Sequence, residues 1–312
     1  MGFIPVLFCL LATAAAVPLE VHGGFDERHL REPALQPPSH VEVTALTSKL
    51  LEPSNLVFGG KKATGALLPM QALIIYTLKS SKVNTLCGGT IISPNHVLTA
   101  AHCVLDMVLP AQVMVGSVNA RKNTSYTQWR HIHKVYPHSG YKGETEGRAN
   151  DIAVVEFSPA IRFSSEVKMV NIKKNDDQLI KNPKGGIVSG FGTYKFGGKH
   201  GNETIKSPDL LFAPVKVFNT SYCNSEKIWR GVLSKDQICA GDKGTGIGPG
   251  DSGGPLLVLE ERTLYQVGLT SWATKFGKIM RDRQDLLPSV FTRVSHYCNI
   301  ISGITRGVFK CK

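Results

Sequence analysis

The chain has 312 residues, 42% hydrophobic and 19% charged, which is apolar enough for a sizeable core and too weakly charged for a disordered chain. Its net charge of +12 is unevenly placed: residues 17–56 hold six acids and three bases, whereas residues 57–312 hold 18 acids and 33 bases. A basic body behind an acidic leader suits acidic glycans, a membrane surface or plain solubility, and no compact Lys/Arg run or groove motif points to nucleic acid.

The chain opens with "MGFIPVLFCLLATAAAVPLE", a short apolar run ending in Ala14-Ala15-Ala16. That pattern is a secretory signal with a small-residue cleavage site, although no positive side chain precedes the run, which is short for a bilayer span. Residues 1–16 are therefore read as a signal peptide, and the mature chain as secreted and extracellular. Beyond Cys9 there are six cysteines, Cys87, Cys103, Cys223, Cys239, Cys298 and Cys311, an even count that suits disulfides outside the cell. Six cysteines allow 15 connectivities, and the absence of any CxxC pair argues against a zinc ribbon.

Residues 17–56 are rich in Pro, Glu and His ("REPALQPPSHVEVT") without a sustained apolar period, and read as a flexible leader. From Val57 on, strand-length apolar runs recur between turn residues: "QALIIYTL", "GGTIIS", "HVLTAAHCVL", "DIAVVEF", "GGIVSGFG", "GPLLVL", "YQVGLTSW" and "SVFTRV". This spacing predicts an all-β sandwich or barrel with one late helix near "VSHYCNIISGI", and no longer repeat is visible.

Three motifs carry chemistry. "LTAAHC" places His102 where a strand passes into a turn or short helix. "NDIAVVEF" places Asp151 at the start of an apolar strand, and "GPGDSGGP" sets Ser252 in a glycine-dense turn. Taken singly these are a surface His, a turn Asp and a loop Ser. Together they are the parts for acyl transfer. A serine hydroxyl is a poor nucleophile without a base beside it, imidazole is a base near neutral pH, and a carboxylate fixes the tautomer of that imidazole. Glycines let backbone N–H groups converge on a developing oxyanion.

These motifs, in the order His, Asp, Ser, resemble the trypsin/chymotrypsin-like serine proteases from Val57 to about Val308. The resemblance implies two six-stranded antiparallel β-barrels with the active site between them and a C-terminal helix. It implies His102 as general base and acid, Asp151 as its orienter and Ser252 as nucleophile, with the N–H groups of Gly250 and Ser252 as the oxyanion hole. It implies that Ser271, Trp272 and Ala273 ("TSWA") pair with the substrate backbone. It also implies the bridges Cys87–Cys103 and Cys223–Cys239, which leaves Cys298 and Cys311 for each other. No cofactor or metal is implied, and the partners are protein or peptide substrates, protein inhibitors and possible acidic glycans, with a monomeric chain.

"VFGG", Val57 to Gly60, resembles the family's new N-terminus, usually Ile-Val-Gly-Gly. Residues 17–56 then become an activation propeptide and residues 57–312 the protease domain. The cut falls after Leu56, and the freed amine of Val57 is expected to pair with Asp251. Since Leu56 is not Lys or Arg, an apolar-directed protease, or the enzyme itself, is the expected activator.

Two features depart from the family. The position four before Ser252, usually Cys, is Gly248, and its usual partner is missing from "TKFGKIM" as well. "GFG" at Gly190 to Gly192 stands where "GWG" is more usual. The pocket for the side chain before the scissile bond is read by offset. Its floor, six before Ser252, is Gly246, followed by Ile247, and its wall positions are Ala273 and Ser289. Without an acid on the floor and with narrowed walls, the expected preference is for small or medium apolar side chains, elastase-like or narrow chymotrypsin-like. A different class of function, a cationic protease-like binding protein with little catalysis, is the alternative.

The segment "NARKNTSYTQWR", where some relatives bind calcium, is basic, so no calcium is expected. His131 and His133 fall on one face of a strand but lack a third ligand, which favours exposed histidines over a metal site. Sequons stand at Asn123, Asn202 and Asn219, candidate glycosylation sites in a secreted chain.

Overall fold

The computed structural model describes residues 58–181, 184–197 and 203–312. The signal peptide, the leader, Leu56, Val57 and Asn202 lie outside the described residues.

A first closed barrel is built from β2 (Gln71–Leu78), β3 (Asn84–Ser93), β4 (His96–Thr99), β5 (Met107–Val115), β6 (Gln128–Pro137) and β7 (Ala153–Ser158). A second is built from β8 (Lys184–Gly190), β11 (Leu211–Phe218), β12 (Gln237–Gly241), β13 (Pro255–Glu260), β14 (Thr263–Trp272) and β15 (Ser289–Arg293). Within each barrel every pairing is antiparallel, and both close in the same order: first, second, third, sixth, fifth, fourth, and back to the first. A short β1 (Lys61–Lys62) adds to β11, and β9 (Thr193–Gly197) pairs with β10 (Glu203–Lys206) as a separate hairpin. Full closure removes the open edges that a flat sheet of this size would expose.

The helices are short: α1 (Ala101–Val104), α2 (Asp177–Ile180), α3 (Thr220–Cys223), α4 (Gly277–Asp282) and the C-terminal α5 (Cys298–Ile304). No helix among the described residues is long and apolar enough to cross a membrane.

The barrel cores follow the two-residue strand period. In β11, Ala213, Val215 and Val217 point inward and are buried, while Pro214 and Lys216 between them are only partly covered. Leu73, Ile91, Leu98, Val113, Ile132 and Phe157 fill the first barrel; Val188, Val215, Ile238, Leu256, Val267 and Phe291 fill the second. Each such side chain contributes about 1.5–3 kcal/mol by leaving water.

Three disulfides tie loops to these barrels: Cys87–Cys103, Cys223–Cys239 and Cys298–Cys311. The first joins β3 to α1, the second joins α3 to β12, and the third fastens the chain end to the start of α5.

Candidate active site

His102 and Asp151 both belong to the first barrel. His102 lies in α1, directly after β4, and Asp151 lies two residues before β7, which is hydrogen-bonded to β4. The pairing of those two strands brings the side chains together. The Nδ1 of His102 lies 2.7 Å from Oδ2 of Asp151, and the backbone N–H of His102 donates to Oδ1 at 2.9 Å. Two contacts on one carboxylate fix both the position of the ring and which nitrogen faces the acid, leaving Nε2 on the far side of the ring, 3.8 Å from Cys103 Sγ.

The second barrel completes the surroundings of Asp151. Ser271 Oγ donates to Oδ2 at 2.6 Å, and Thr292 Oγ1 donates to the Asp151 carbonyl at 2.9 Å. Next to it, the Asn150 N–H donates to Asp236 at 2.9 Å, and the Tyr297 hydroxyl bonds both Asn150 Oδ1 and Asp236. Asp151 is 0% exposed. Burial alone would push its carboxyl up, but the His102 charge and the hydrogen bonds from His102 and Ser271 outweigh this and hold it below the usual carboxylate range.

Ser252 arrives from the second barrel, just before β13. Its carbonyl accepts the Gly88 N–H at 2.7 Å, and Gly88 follows the cysteine bridged to Cys103, the neighbour of His102. The next residue, Gly253, packs against Thr99 and the backbone N of Ala100, two residues before His102. These contacts set the half-buried Ser252 beside the segment that carries the half-buried His102, and among the described residues no hydrogen bond joins Ser252 Oγ to the His102 ring.

The backbone donors of this turn divide into two sets. The N–H groups of Asp251, Gly253 and Gly254 are taken by the carbonyls of Gly248, Thr270 and Asp251. Among the described residues, those of Gly250 and Ser252 have no acceptor. Behind the turn, Asp251 is 1% exposed and accepts the N–H groups of Gly192 and Gly248, each at 2.8 Å. Gly190 and Gly192 are needed for this approach, because a Cβ on either would collide with Asp251 Oδ1. Burial pushes the Asp251 carboxyl up to about 6, although the two backbone donors pull the other way.

Phe58, the first described residue, lies against the same wall. It is 3% exposed, its carbonyl accepts the Gly246 N–H at 3.3 Å, and its ring stacks on Phe196 at 5.5 Å.

The sequence of this chain matches the Trypsin family over residues 57–301. The chain belongs to the trypsin family. Among trypsin-family relatives, it is 28% identical to chymotrypsin-like elastase family member 1 of dog (Canis lupus familiaris) over 259 residues, 83% of this chain and 95% of that one. The human (Homo sapiens) counterpart gives the same identity and coverage, and that of Macaca fascicularis is 29% identical over 257 residues, 82% of this chain and 92% of its own.

The residues expected along the substrate cleft of a trypsin-family chain are spread over two environments. Trp272 stacks edge-on to Trp229 at 4.6 Å and, with Ala273, Arg148 and Val232, lines a cavity of about 190 Å³. Ser271 and Ser289 are buried, the one bonded to Asp151 and the other to Gln284. Ile247 is packed in the core of the second barrel. Sequence reasoning had not singled out Arg148, which donates to the Ser271 carbonyl at 3.3 Å and to Glu144 at 2.5 Å, nor Asp236, Tyr297, Thr292 and Gln284. None of these lies in a motif, and only folding brings them to the site.

Cys87, His102 and Cys103 also cluster, but the two sulfurs are bonded to each other and offer no thiolate to a metal. His131 and His133 lie on β6, and His133 Nε2 lies 3.8 Å from Glu156. Asn123 is exposed and accepts the Trp129 indole N–H at 3.0 Å. Asn219 caps α3, accepting from the Tyr222 N–H at 2.9 Å while its amide nitrogen donates to Lys181 at 3.2 Å.

Proposed function

We propose that the chain is a secreted serine endopeptidase made as a zymogen, which cuts after small or medium apolar residues. The observation that carries this reading is the His102–Asp151 pair together with a Ser252 turn anchored to Gly88, in which the backbone N–H groups of Gly250 and Ser252 have no acceptors among the described residues. In the reaction, His102 Nε2 takes the proton from Ser252 Oγ as it attacks the scissile carbonyl. The oxyanion of the tetrahedral intermediate accepts from the two free N–H groups. His102 then returns the proton to the leaving amine, and water, deprotonated in turn by His102, resolves the acyl-enzyme. Asp151 keeps the imidazole oriented and stabilises its charged form.

Activation is the step that frees Val57. Phe58, the residue after the expected new terminus, is buried with its carbonyl bonded to the Gly246 N–H, which supports insertion of that terminus. The three disulfides and the signal-like first segment support secretion.

The test is labelling by a fluorophosphonate probe, together with peptide hydrolysis, on protein whose N-terminus is sequenced as Val57. The expected result is labelling and turnover in the wild type and neither in Ser252→Ala. Undiminished hydrolysis by Ser252→Ala would remove the assignment. A correctly cut, folded wild type that neither labels nor hydrolyses would favour the cationic binding protein.

A further inference from the structure

We propose that the side chain of Gln284 is the floor of the substrate pocket and sets its depth. This rests on the protease reading above and names the residue that enforces its preference. Gln284 follows α4 and is 1% exposed. Its Nε2 donates to the carbonyls of Ile247 at 2.8 Å and Met280 at 2.7 Å, and its Oε1 accepts from Ser289 Oγ at 2.7 Å. Both amide hydrogens are therefore used, so the group asks for no charged ligand.

The carboxamide occupies the space that a side chain at residue 246 would take. Gly246 has φ +151°, and a Cβ there would overlap Gln284 Oε1 and Cδ. The missing side chain at 246 thus does not leave a deep, open slot, because a buried amide from another segment fills it. A long basic side chain would meet this amide and not an acid. The nearest acid upstream, Asp242, lies 3.2 Å from Lys216 Nζ. Small and medium apolar side chains suit a pocket whose floor is filled in this way.

Gln284 also does mechanical work. The two segments it joins, at Ile247 and at Met280, are those that carry no cysteine here, flanking Gly248 and lying within residues 274–280. Two hydrogen bonds from one buried nitrogen hold the pocket walls together in place of a covalent bridge.

The experiment compares mature wild type, Gln284→Ala and Gln284→Met on peptides that differ only in Ala or Phe before the scissile bond. Binding of acetylated tetrapeptide amides ending in Ala or Phe is measured in parallel. The Ala variant empties the floor, and its Phe/Ala ratio of kcat/KM is expected to rise at least about tenfold, the scale on which one or more methylenes are discriminated in an apolar pocket. The Met variant refills the volume without the hydrogen bonds, so its ratio should stay near that of the wild type while its thermal midpoint falls. An unchanged ratio in a folded Ala variant overturns the proposal, and so does a Met variant that opens the pocket as far as Ala. If Gln284→Ala does not fold, Gln284→Thr, which also shortens the side chain but keeps a hydroxyl, takes its place: a rise in the Phe/Ala ratio supports the proposal and an unchanged ratio overturns it. Should the wild type hydrolyse nothing, the protease reading fails, and the Phe/Ala binding ratio of the variants still reports on the floor.

Discussion

Replacing Asp251 by Asn keeps the shape of a buried side chain and removes its charge. The Asp251 carboxyl is 1% exposed and held by two backbone N–H groups, and among the described residues no cation pairs with it. Its pKa is raised from 3.8 to about 6, chiefly by burial. Because the folded value lies above the unfolded one, the folded state binds more protons between these limits. The stability this group contributes is fully present below pH 3.8 and is lost as pH rises through about 6. At 1.36 kcal/mol per pKa unit, the loss is ~3 kcal/mol.

Asn does not titrate, so it escapes this loss. In the uncut precursor, the unfolding free energy of Asp251→Asn minus that of wild type should therefore shift by ~2.4 kcal/mol in favour of Asn between pH 4 and pH 7.5, the first part of the loss having occurred by pH 4. Any fixed cost of setting an amide nitrogen against backbone donors cancels in this difference. The titration of His96 and His296, both lowered by burial, cancels too. In the form beginning at Val57 the proposed pairing gives the ionised carboxylate a buried partner, so on that reading the difference should move the other way, with Asn leaving the amine unpaired. The assay is urea unfolding at both pH values in a Ser252→Ala background, which prevents self-digestion. A difference that stays flat with pH in the precursor refutes the reasoning, and so does one that moves the same way in both forms.

Three further outcomes are expected. Asp151→Asn should lower kcat roughly ten-thousand-fold, the magnitude established for this triad in the trypsin family and carried over here, and a loss below tenfold in a peptide assay would argue against its role. Replacing Cys298 and Cys311 by Ala opens a loop with a sequence separation of 13 and should cost about 3 kcal/mol in urea unfolding under oxidising conditions, with no change if the bridge carries no load. If the chain activates itself at Leu56, purified Ser252→Ala precursor should stay uncut, and a Val57 terminus appearing without added protease would exclude self-activation.

The apolar runs made the fold legible and the motifs the His102–Asp151 pair, and the gaps have physical causes. Eight of the twelve barrel strands are marked by a run of their own, among them "QALIIYTL", which is β2 residue for residue. The four unmarked strands are β5, β6, β11 and β12. β5 and β11 contain Pro110 and Pro214, residues that argue against a strand when read alone. β6 buries only Ile132 among its ten residues, and its outward positions carry His, Lys and Arg. β12 (QICAG) is buried at all five positions, so it shows no alternation, and its Gln, Ala and Gly do not read as an apolar run. The last helix was visible in "YCNIISGI", whereas α4 buries none of its six residues and so leaves no apolar face to read.

At the site, what was legible is what a motif encodes, and what was not is what the second barrel lends to the first. Asp151 is oriented by Ser271 and Thr292, which sit on β14 and β15, and its neighbour Asn150 by Asp236 and Tyr297. Since β14 and β15 are hydrogen-bonded to each other, loosening that pair removes two donors from the Asp151 loop together. The proposed substrate pocket repeats the arrangement on a smaller scale, with Gln284 reaching back from the end of α4 to hold Ile247 and Ser289. In both places a buried polar group fixes geometry only while every partner stays in register, because an unsatisfied partner in the interior costs about 1–3 kcal/mol. On the proposed reading, chemistry and specificity therefore depend on the packing of the second barrel. A substitution that loosens β14 against β15 should impair turnover before the triad itself is touched.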